Sequence, residues 1–280
     1  MKKAFFFPVL LFSALVINAQ QKMNCCSPSA TELFAQLGSN EKFVKSHVNP
    51  PPFYYQSANG KAITFKAADG TDAFGWELKA KTPTRNFLIV VHEWWGLNDY
   101  IKQESEKLWN DLGNINVIAV DLFDKKVANT REDAMKFTQG LTTDRAVAIL
   151  KGVIQYAGSD AKIYTIGWCF GGGWSLQASL LAGGQAAGCV MYYGMPEKNI
   201  DRLKELHADV LGIFGNKDQF INPKVVDEFV SNMDKANKKL IVKRYDADHA
   251  FANPSNPQFD KNAREDAYKN VLSFLKSRIG

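Results

Sequence analysis

Three side chains along this sequence, Cys169, Asp218 and His249, could together attack a carbonyl carbon. Cys169 stands in a Gly-Trp-Cys-Phe-Gly-Gly run that follows the apolar stretch 161–166 directly. A strand that passes through a tight, glycine-flanked turn into a helix forms a nucleophile elbow, here with cysteine where serine is usual. The helix N-terminus beyond such a turn favours a thiolate and, later, an oxyanion. This pattern predicts that Cys169 is a nucleophile.

The other two members follow the nucleophile along the chain, and each comes just after a predicted strand. Nucleophile, acid, histidine is the chain order of an α/β-hydrolase triad. His249 would take the thiol proton and later return one to the leaving group, while Asp218 would fix the histidine tautomer. Asp121 precedes the nucleophile, and Asp248 is adjacent to the histidine in a loop, where neighbouring side chains seldom point the same way. Asp218 is therefore the predicted acid.

The run His-Glu-Trp-Trp-Gly at 92–96 follows another predicted buried strand. In an α/β-hydrolase fold this loop supplies half of the oxyanion hole through a backbone N–H. We expect that donor to be Trp94, paired with the N–H of Phe170. Glu93 contacts the thiol or the substrate, or it is a hydrogen-bonded structural group. Trp95 is expected to line the substrate pocket.

Arg131 opens a predicted helix in a segment that often covers the site in this fold. It could hold a substrate carboxylate through a bidentate pair, or it is an ordinary solvated arginine.

The elements that must position these residues alternate regularly from residue 60 onward. Two antiparallel strands come first, and strands and helices then alternate to the end of the chain. Such alternation predicts an α/β fold with a mostly parallel central sheet and helices on both faces. The predicted strands span 61–66, 73–80, 86–92, 116–121, 161–166, 188–193, 210–214 and 240–245. We assign residues 58–280 to an α/β-hydrolase catalytic domain.

The N-terminal residues have a different character. Lys2 and Lys3 precede the apolar block 4–17, and small residues before Ala19 suit a cleavage site, so 1–19 are predicted to be a signal peptide. This predicts a secreted or periplasmic protein with no stable membrane insertion once the signal is removed. Residues 20–57 form an extension with two short predicted helices, which is either an ordered wrap or a lid.

The net charge and the cysteine and histidine content indicate which kinds of ligand and partner the protein can bind. Without Lys2 and Lys3 the formal net charge falls from +5 to +3, and the basic residues are scattered, so no nucleic-acid binding is predicted. Cys189 is best explained as a small buried hydrophobe. The chain has four histidines, and none has metal-ligand spacing with another histidine or with a cysteine pair. We therefore predict neither a metal nor a cofactor, and a small molecule as the partner.

With these motifs together, residues 60–280 resemble the dienelactone hydrolase family of α/β-hydrolases. The resemblance implies a cofactor-free hydrolase that opens lactones or cleaves esters through an acyl-cysteine. It also implies that Glu93 keeps Cys169 as a thiol until substrate displaces the carboxylate. The founding members grip a substrate carboxylate with two arginines. Arg131 matches the first only with a gap, and Asn253 stands in place of the second, so the resemblance gives the chemistry but not the substrate.

A second hypothesis assigns the protein to another functional class. The chain could be a non-catalytic α/β-hydrolase scaffold that binds a small ligand or a partner protein. A catalytic Cys169 should be alkylated faster than Cys189, with an apparent pKa displaced from that of a free thiol, whereas slow and unshifted alkylation would favour the scaffold.

Overall fold

The computed structural model describes residues 30–279, together with Met1. The predicted signal peptide, Cys25 and Cys26 lie outside the described residues. The described chain contains eight strands: β1 (Lys61–Lys66), β2 (Asp72–Leu78), β3 (Asn86–Val91), β4 (Asn116–Asp121), β5 (Lys162–Trp168), β6 (Ala186–Tyr192), β7 (Val210–Gly215) and β8 (Leu240–Tyr245).

These strands form one sheet in the order β1-β2-β4-β3-β5-β6-β7-β8. The pairs β1–β2 and β2–β4 are antiparallel, and every other pair is parallel. The central strands are continuous apolar runs, as a parallel sheet covered by helices requires, and residues 88–91 of β3 are fully buried. The predicted α/β fold with a mostly parallel sheet is confirmed.

The strands are connected by helices of ordinary length. The helices of the described chain are α1 (Ala30–Gly38), α2 (Glu41–Ser46), α3 (Asp99–Leu112), α4 (Arg131–Gly140), α5 (Thr143–Ala157), α6 (Phe170–Ala182), α7 (Ile200–Lys204), α8 (Pro223–Lys235) and α9 (Lys261–Ile279), with a short 3₁₀ turn at Gly183–Gln185. Within residues 30–279, no helix has both the length and the apolar character needed to cross a membrane.

Side-chain caps set several of the helix starts. The capping residues are Asn40 for α2, Asn98 for α3, Thr130 for α4, Thr142 for α5, Asn199 for α7 and Asn222 for α8. Each cap accepts a hydrogen bond from a backbone N–H of the first turn, which has no partner within the helix. Helical spacing over residues 98–112 predicts that Asn98 is the first residue of a helix. The structure instead uses it to cap α3, which begins one residue later.

The parallel arrangement brings distant parts of the chain to one edge of the sheet. The carboxyl ends of parallel strands meet at the same edge, where α/β proteins hold their ligands. Glu93 lies two residues beyond β3, Cys169 directly follows β5, Asp218 lies beyond β7, and His249 lies beyond β8. The sheet topology therefore brings the predicted site residues to a common edge.

The N-terminal extension lies over this same edge. The ring of Phe34, on α1, lies 5.3 Å from the ring of Phe170. Phe43, on α2, is fully buried and lies 5.6 Å from Trp94 and 5.0 Å from Phe220. Further along, the N–H of Tyr55 donates to the carboxylate of Asp99 at 3.0 Å. Residues 30–57 thus form an ordered segment that covers the site; whether it also opens as a lid stays a prediction.

Candidate active site

The backbone at Cys169 has the strained geometry of a nucleophile elbow. Cys169 has φ +54° and ψ −117°, in a region that residues with a side chain rarely adopt. The neighbouring glycines are required by close backbone contacts. A Cβ on Gly167 would lie 2.0 Å from the carbonyl oxygen of Gly171, and one on Gly171 would lie 2.3 Å from that of Val91. Because both contacts are with backbone atoms, larger residues would push the nucleophile out of place.

The structure brings Cys169, His249 and Asp218 into one chain of hydrogen bonds. The Sγ atom of Cys169 lies 3.2 Å from Nε2 of His249, and Nδ1 of His249 lies 2.6 Å from Oδ2 of Asp218. The other carboxylate oxygen, Oδ1, accepts the N–H groups of Phe220 and Ile221 at 2.8 Å and 2.9 Å. All three members of this chain are buried, and the thiol residue is only 1% exposed. Such an arrangement can pass a proton from sulfur to imidazole.

Burial and charge determine the ionisation of these groups. Burial raises the pKa of the Cys169 thiol, and the nearby charge of His249 only partly offsets this. Burial by itself would lower the pKa of His249, because it disfavours the charged imidazolium. The negative charges of Asp218 and Cys169 outweigh burial and raise this pKa. For Asp218, burial is outweighed by the charge of His249, so the pKa of this carboxyl is lowered. Asp218 therefore supports positive charge on His249, which acceptance of the thiol proton requires.

The two predicted oxyanion donors lie at the same edge of the sheet as the nucleophile. Phe170 is the first residue of α6, so its N–H has no acceptor in a preceding helical turn. Its N–H contacts the thiol sulfur and opposes the rise in the thiol pKa. The N–H of Cys169 itself is used, since it donates to the carbonyl of Tyr192 at 3.0 Å. Trp94 is fully buried in the loop after β3, on the same edge of the sheet. Their roles as donors stay predictions.

Glu93 is paired with Asn253. The side-chain amide of Asn253 donates to Oε2 of Glu93 at 2.6 Å. Burial raises the pKa of Glu93 to about 7, although the charge of His249 and this hydrogen bond both lower it. When Glu93 is ionised, its charge raises the pKa of Cys169. Glu93 therefore affects the thiol electrostatically, while Asn253 holds its carboxylate in place.

This coupling makes Glu93→Gln a test of the thiol-tuning role. Below pH 7 Glu93 is mostly protonated, so the variant should match the parent; above pH 7 the variant lacks a negative charge beside the sulfur. The thiolate fraction, and with it the rate of alkylation of Cys169 by iodoacetamide, should then be roughly threefold to tenfold higher than in the parent. Mass spectrometry of the Cys169 peptide between pH 5.5 and 9 measures this. Glu132→Gln, at an exposed position, is the control, and a ratio that is the same at pH 6 and pH 8 would contradict the role.

Two further residues predicted to bind substrate, Arg131 and Trp95, lie outside the lining of the cavity beside Glu93. Arg131 is half-buried at the start of α4, and its backbone N–H donates to the side chain of Asn49 at 3.0 Å. This contact ties α4 to the N-terminal segment. Trp95 is buried with its ring 5.0 Å from that of Trp94. Neither residue belongs to the cavity beside Glu93, and their roles in substrate binding stay predictions.

A cavity lies beside Glu93. Its lining includes Glu93, Trp168, Tyr193 and Asn253, and its volume is about 70 Å³.

The sequence analysis missed His47, a second histidine beside the nucleophile. Its Nε2 lies 4.0 Å from Sγ of Cys169, although the two residues are 122 positions apart. Its Nδ1 lies 2.8 Å from the carbonyl oxygen of Phe43, an acceptor, so Nδ1 carries the proton. Burial, together with the charge of His249, lowers the pKa of His47 to about 3, so this imidazole stays neutral. The sequence contains only an indirect indication that this segment packs on the site: Phe34 and Phe43, on two short helices, need another apolar surface to bury them.

The position of His47 also creates a cluster of potential metal ligands. Linear spacing gave no metal-ligand pattern, yet the fold gathers one potential ligand atom each from His47, Cys169 and His249 within 4.8 Å of one another. Spacing along the chain therefore missed a cluster that exists in three dimensions. His92 is different: its two ring nitrogens bind the carbonyl of Glu93 and the N–H of Leu122, which gives it a structural role.

The strand order, the elbow and the residues beyond β5, β7 and β8 define an α/β-hydrolase. The model of the dienelactone hydrolase family matches residues 77–279, and the chain belongs to this family. It is accordingly a hydrolase of the carboxylic-ester and lactone type (EC 3.1.1).

The individual proteins to which this chain is similar are consistent with its membership of this family. The chain is 30% identical over 159 residues to a carboxymethylenebutenolidase of a Pseudomonas species, covering 55% of this chain and 66% of the relative. It is 24% identical over 211 residues to carboxymethylenebutenolidase 1 of Cupriavidus pinatubonensis, covering 70% and 88%. Among solved structures, a dienelactone hydrolase-like promiscuous phosphotriesterase from metagenomic libraries has a TM-score of 0.68 at 21% identity, covering 80% of this chain and 100% of that one. At that identity the structural match supports the fold alone.

Proposed function

We propose that this protein is an exported hydrolase that cleaves carboxylic esters or lactones through an acyl-cysteine intermediate. The observation that carries the proposal is the hydrogen-bonded chain Cys169–His249–Asp218, with 3.2 Å from sulfur to nitrogen and 2.6 Å from nitrogen to oxygen. This chain lies at the edge of the sheet where α/β-hydrolases carry out catalysis.

Acylation would start with transfer of the Cys169 proton to Nε2 of His249. The sulfur then attacks the carbonyl carbon, and the oxygen becomes an oxyanion held by the N–H groups of Phe170 and Trp94. As the tetrahedral intermediate collapses, His249 gives its proton to the leaving alcohol, and an acyl group remains on sulfur. Asp218 stabilises the imidazolium throughout.

Deacylation repeats these roles with water as the nucleophile. His249 takes a proton from water, which attacks the thioester carbonyl, and the sulfur leaves with that proton while the acid is released. Since a thiolate is itself a good leaving group, the first intermediate returns easily to substrate unless the other leaving group is better. The proposal therefore favours activated or strained esters over amides.

The residues around Glu93 suggest which substrates suit the site. Asn253 uses its amide on Glu93, and the position carries no positive charge. Several aromatic side chains line the adjacent cavity, among them Tyr100, Trp168 and Tyr193. We propose that uncharged esters and lactones are preferred to substrates that carry a free carboxylate.

Export rests on residues 1–19, in which two lysines precede an apolar block and a small-residue cleavage site. If this is correct, the N-terminus of the protein recovered from its native host begins close to residue 20. Edman sequencing of that protein tests it, and a mature chain that still begins at Met1 contradicts it.

The proposed intermediate can be trapped directly. Mixing the enzyme with p-nitrophenyl acetate should release up to one equivalent of nitrophenolate in a burst, because acylation forms a covalent product. Acid quenching and peptide mass spectrometry should then find an acetyl group on Cys169. Cys189, which is also buried, serves as the internal control.

Two results would contradict the proposal. One is sustained turnover in which no acyl group can be found on Cys169 under any quench time, together with unchanged rates after that thiol is alkylated. The other is a lack of turnover of p-nitrophenyl acetate and of a dienelactone alike, which would favour the ligand-binding scaffold.

A further inference from the structure

The feature that the hydrolase mechanism leaves unused is His47. The triad needs one imidazole, yet a second one, on the N-terminal segment, directs its Nε2 toward the same sulfur at 4.0 Å. His249 approaches this sulfur at 3.2 Å, and the three ligand-type atoms lie within 4.8 Å of one another. One thiol and two imidazoles thus converge on a common point.

Both histidines have Nδ1 bound to an acceptor, which leaves Nε2 as the nitrogen that can bind a metal ion. The Nδ1–H of His47 donates to the carbonyl of Phe43 at 2.8 Å, and Nδ1 of His249 is bonded to Asp218 at 2.6 Å. In each neutral ring the lone pair is therefore on Nε2, facing Cys169. A metal-ligating histidine almost always has its other nitrogen bound to a carbonyl or carboxylate in this way, since that bond fixes the tautomer and the ring orientation.

The two sulfur–nitrogen distances are close to those of a tetrahedral site. With zinc–sulfur and zinc–nitrogen bonds of about 2.3 Å and 2.0–2.1 Å, a tetrahedral site has its sulfur and nitrogen ligands roughly 3.5 Å apart. The observed separations of 3.2 Å and 4.0 Å bracket that value. Thiolate and imidazole together are a ligand set for Zn²⁺ or Co²⁺ rather than for Mg²⁺ or Ca²⁺.

We propose that Cys169, His47 and His249 form a binding site for Zn²⁺, in which the N-terminal segment contributes one of the three protein ligands. Water completes the tetrahedron. Binding forms a sulfur–zinc bond and two nitrogen–zinc bonds, and the protons carried by the thiol and by Nε2 of a charged His249 are released to solvent, so the affinity rises with pH.

The bound ion would have two consequences. The first rests on the proposed function: a sulfur and an imidazole bound to zinc are unavailable to a substrate, so the hydrolase is switched off. The second does not depend on catalysis. Because His47 and Cys169 belong to different parts of the chain, the ion fixes residues 30–57 over the site and should slow their proteolysis.

Titration with Co²⁺, which replaces zinc and reports thiolate ligation by its absorption, tests the site. The full chain with Cys25→Ser and Cys26→Ser is the parent, so that these two thiols cannot bind the ion. The parent should bind one Co²⁺ with a sulfur-to-cobalt band, and Zn²⁺ should displace it. His47→Gln should weaken binding at least about tenfold, since it removes one ligand. His207→Gln, at an exposed position, should change nothing.

Equal affinity in the parent and His47→Gln would overturn the site, as would a bound cobalt without a sulfur-to-cobalt band. A Cys169→Ala variant of the parent that binds the ion as tightly would do the same. Turnover of p-nitrophenyl acetate is measured separately with a chelator present. If turnover is absent there, the proposed function fails while the binding result stands, because the titration does not require activity.

Discussion

Cys169→Ala should lower kcat/KM for p-nitrophenyl acetate by about 10⁴-fold or more, to the level left by the oxyanion hole and binding alone. The reason is that no other described nucleophile lies in hydrogen-bond reach of His249, whose Nε2 is 3.2 Å from this sulfur. The measurement is steady-state hydrolysis by the purified variant, checked for folding by its unfolding midpoint in urea. The change from thiol to methyl is small, so the fold should persist.

The second cysteine of the described chain provides a matched control. Cys189 is also buried, on β6, with its sulfur 3.7 Å from the hydroxyl of Ser175. Cys189→Ala removes the same atoms from a different place and should leave kcat/KM within a few-fold of the parent. A Cys169→Ala protein that keeps more than a few per cent of the activity would show that the sulfur is not the nucleophile.

Asp218→Asn should lower kcat/KM by about 10³- to 10⁴-fold, a cost known from triads in which the acid becomes an amide. The hydrogen bonds of Asp218 explain this expected loss of activity. Oδ1 of Asp218 accepts two backbone N–H groups, from Phe220 and Ile221, so the carbonyl of an asparagine must take that place. Its NH₂ group then faces Nδ1 of His249, which becomes an acceptor. The ring proton moves to Nε2, and the histidine can no longer accept the proton of Cys169.

Asp248→Asn is the control, because it makes the same change next to His249 in sequence. Its kcat/KM should stay close to that of the parent. The pH profile adds a second readout, since the Asp218→Asn variant should show recovery at high pH, where the thiol ionises without help from the histidine. A loss below tenfold in Asp218→Asn would mean that another group orients His249.

Much of the fold follows from local sequence patterns. The alternation of apolar runs and amphipathic segments predicts the eight strands within a few residues, because each strand is defined by residues adjacent in sequence. At Asn98 the helix boundary shifts by one residue because the side chain caps the helix. The register and the order of strands in the sheet are decided by packing between segments, so no local pattern contains them.

The triad acid, Asp218, is predicted from sequence in preference to Asp121 and Asp248. All three follow strands or adjoin the histidine. The known order of triads excludes Asp121, and the position of Asp248 directly beside the histidine in a loop argues against Asp248. In the structure Asp218 is bonded to His249, whereas the carboxylate of Asp121 accepts the N–H groups of Phe123 and Lys125. Asp121 therefore serves to hold its own loop.

Local patterns in the chain predict the elbow at Cys169, the acid and histidine that follow later strands, and the α/β architecture, because each pattern consists of residues adjacent in sequence. Tertiary packing places His47 4.0 Å from the nucleophile, Asn253 against Glu93, and residues 30–57 over the site. These contacts join segments far apart in the chain, and they form because buried aromatic rings such as Phe43 must pack against the edge of the sheet. The apolar character of such a residue can be read from the sequence, but the surface that buries it cannot.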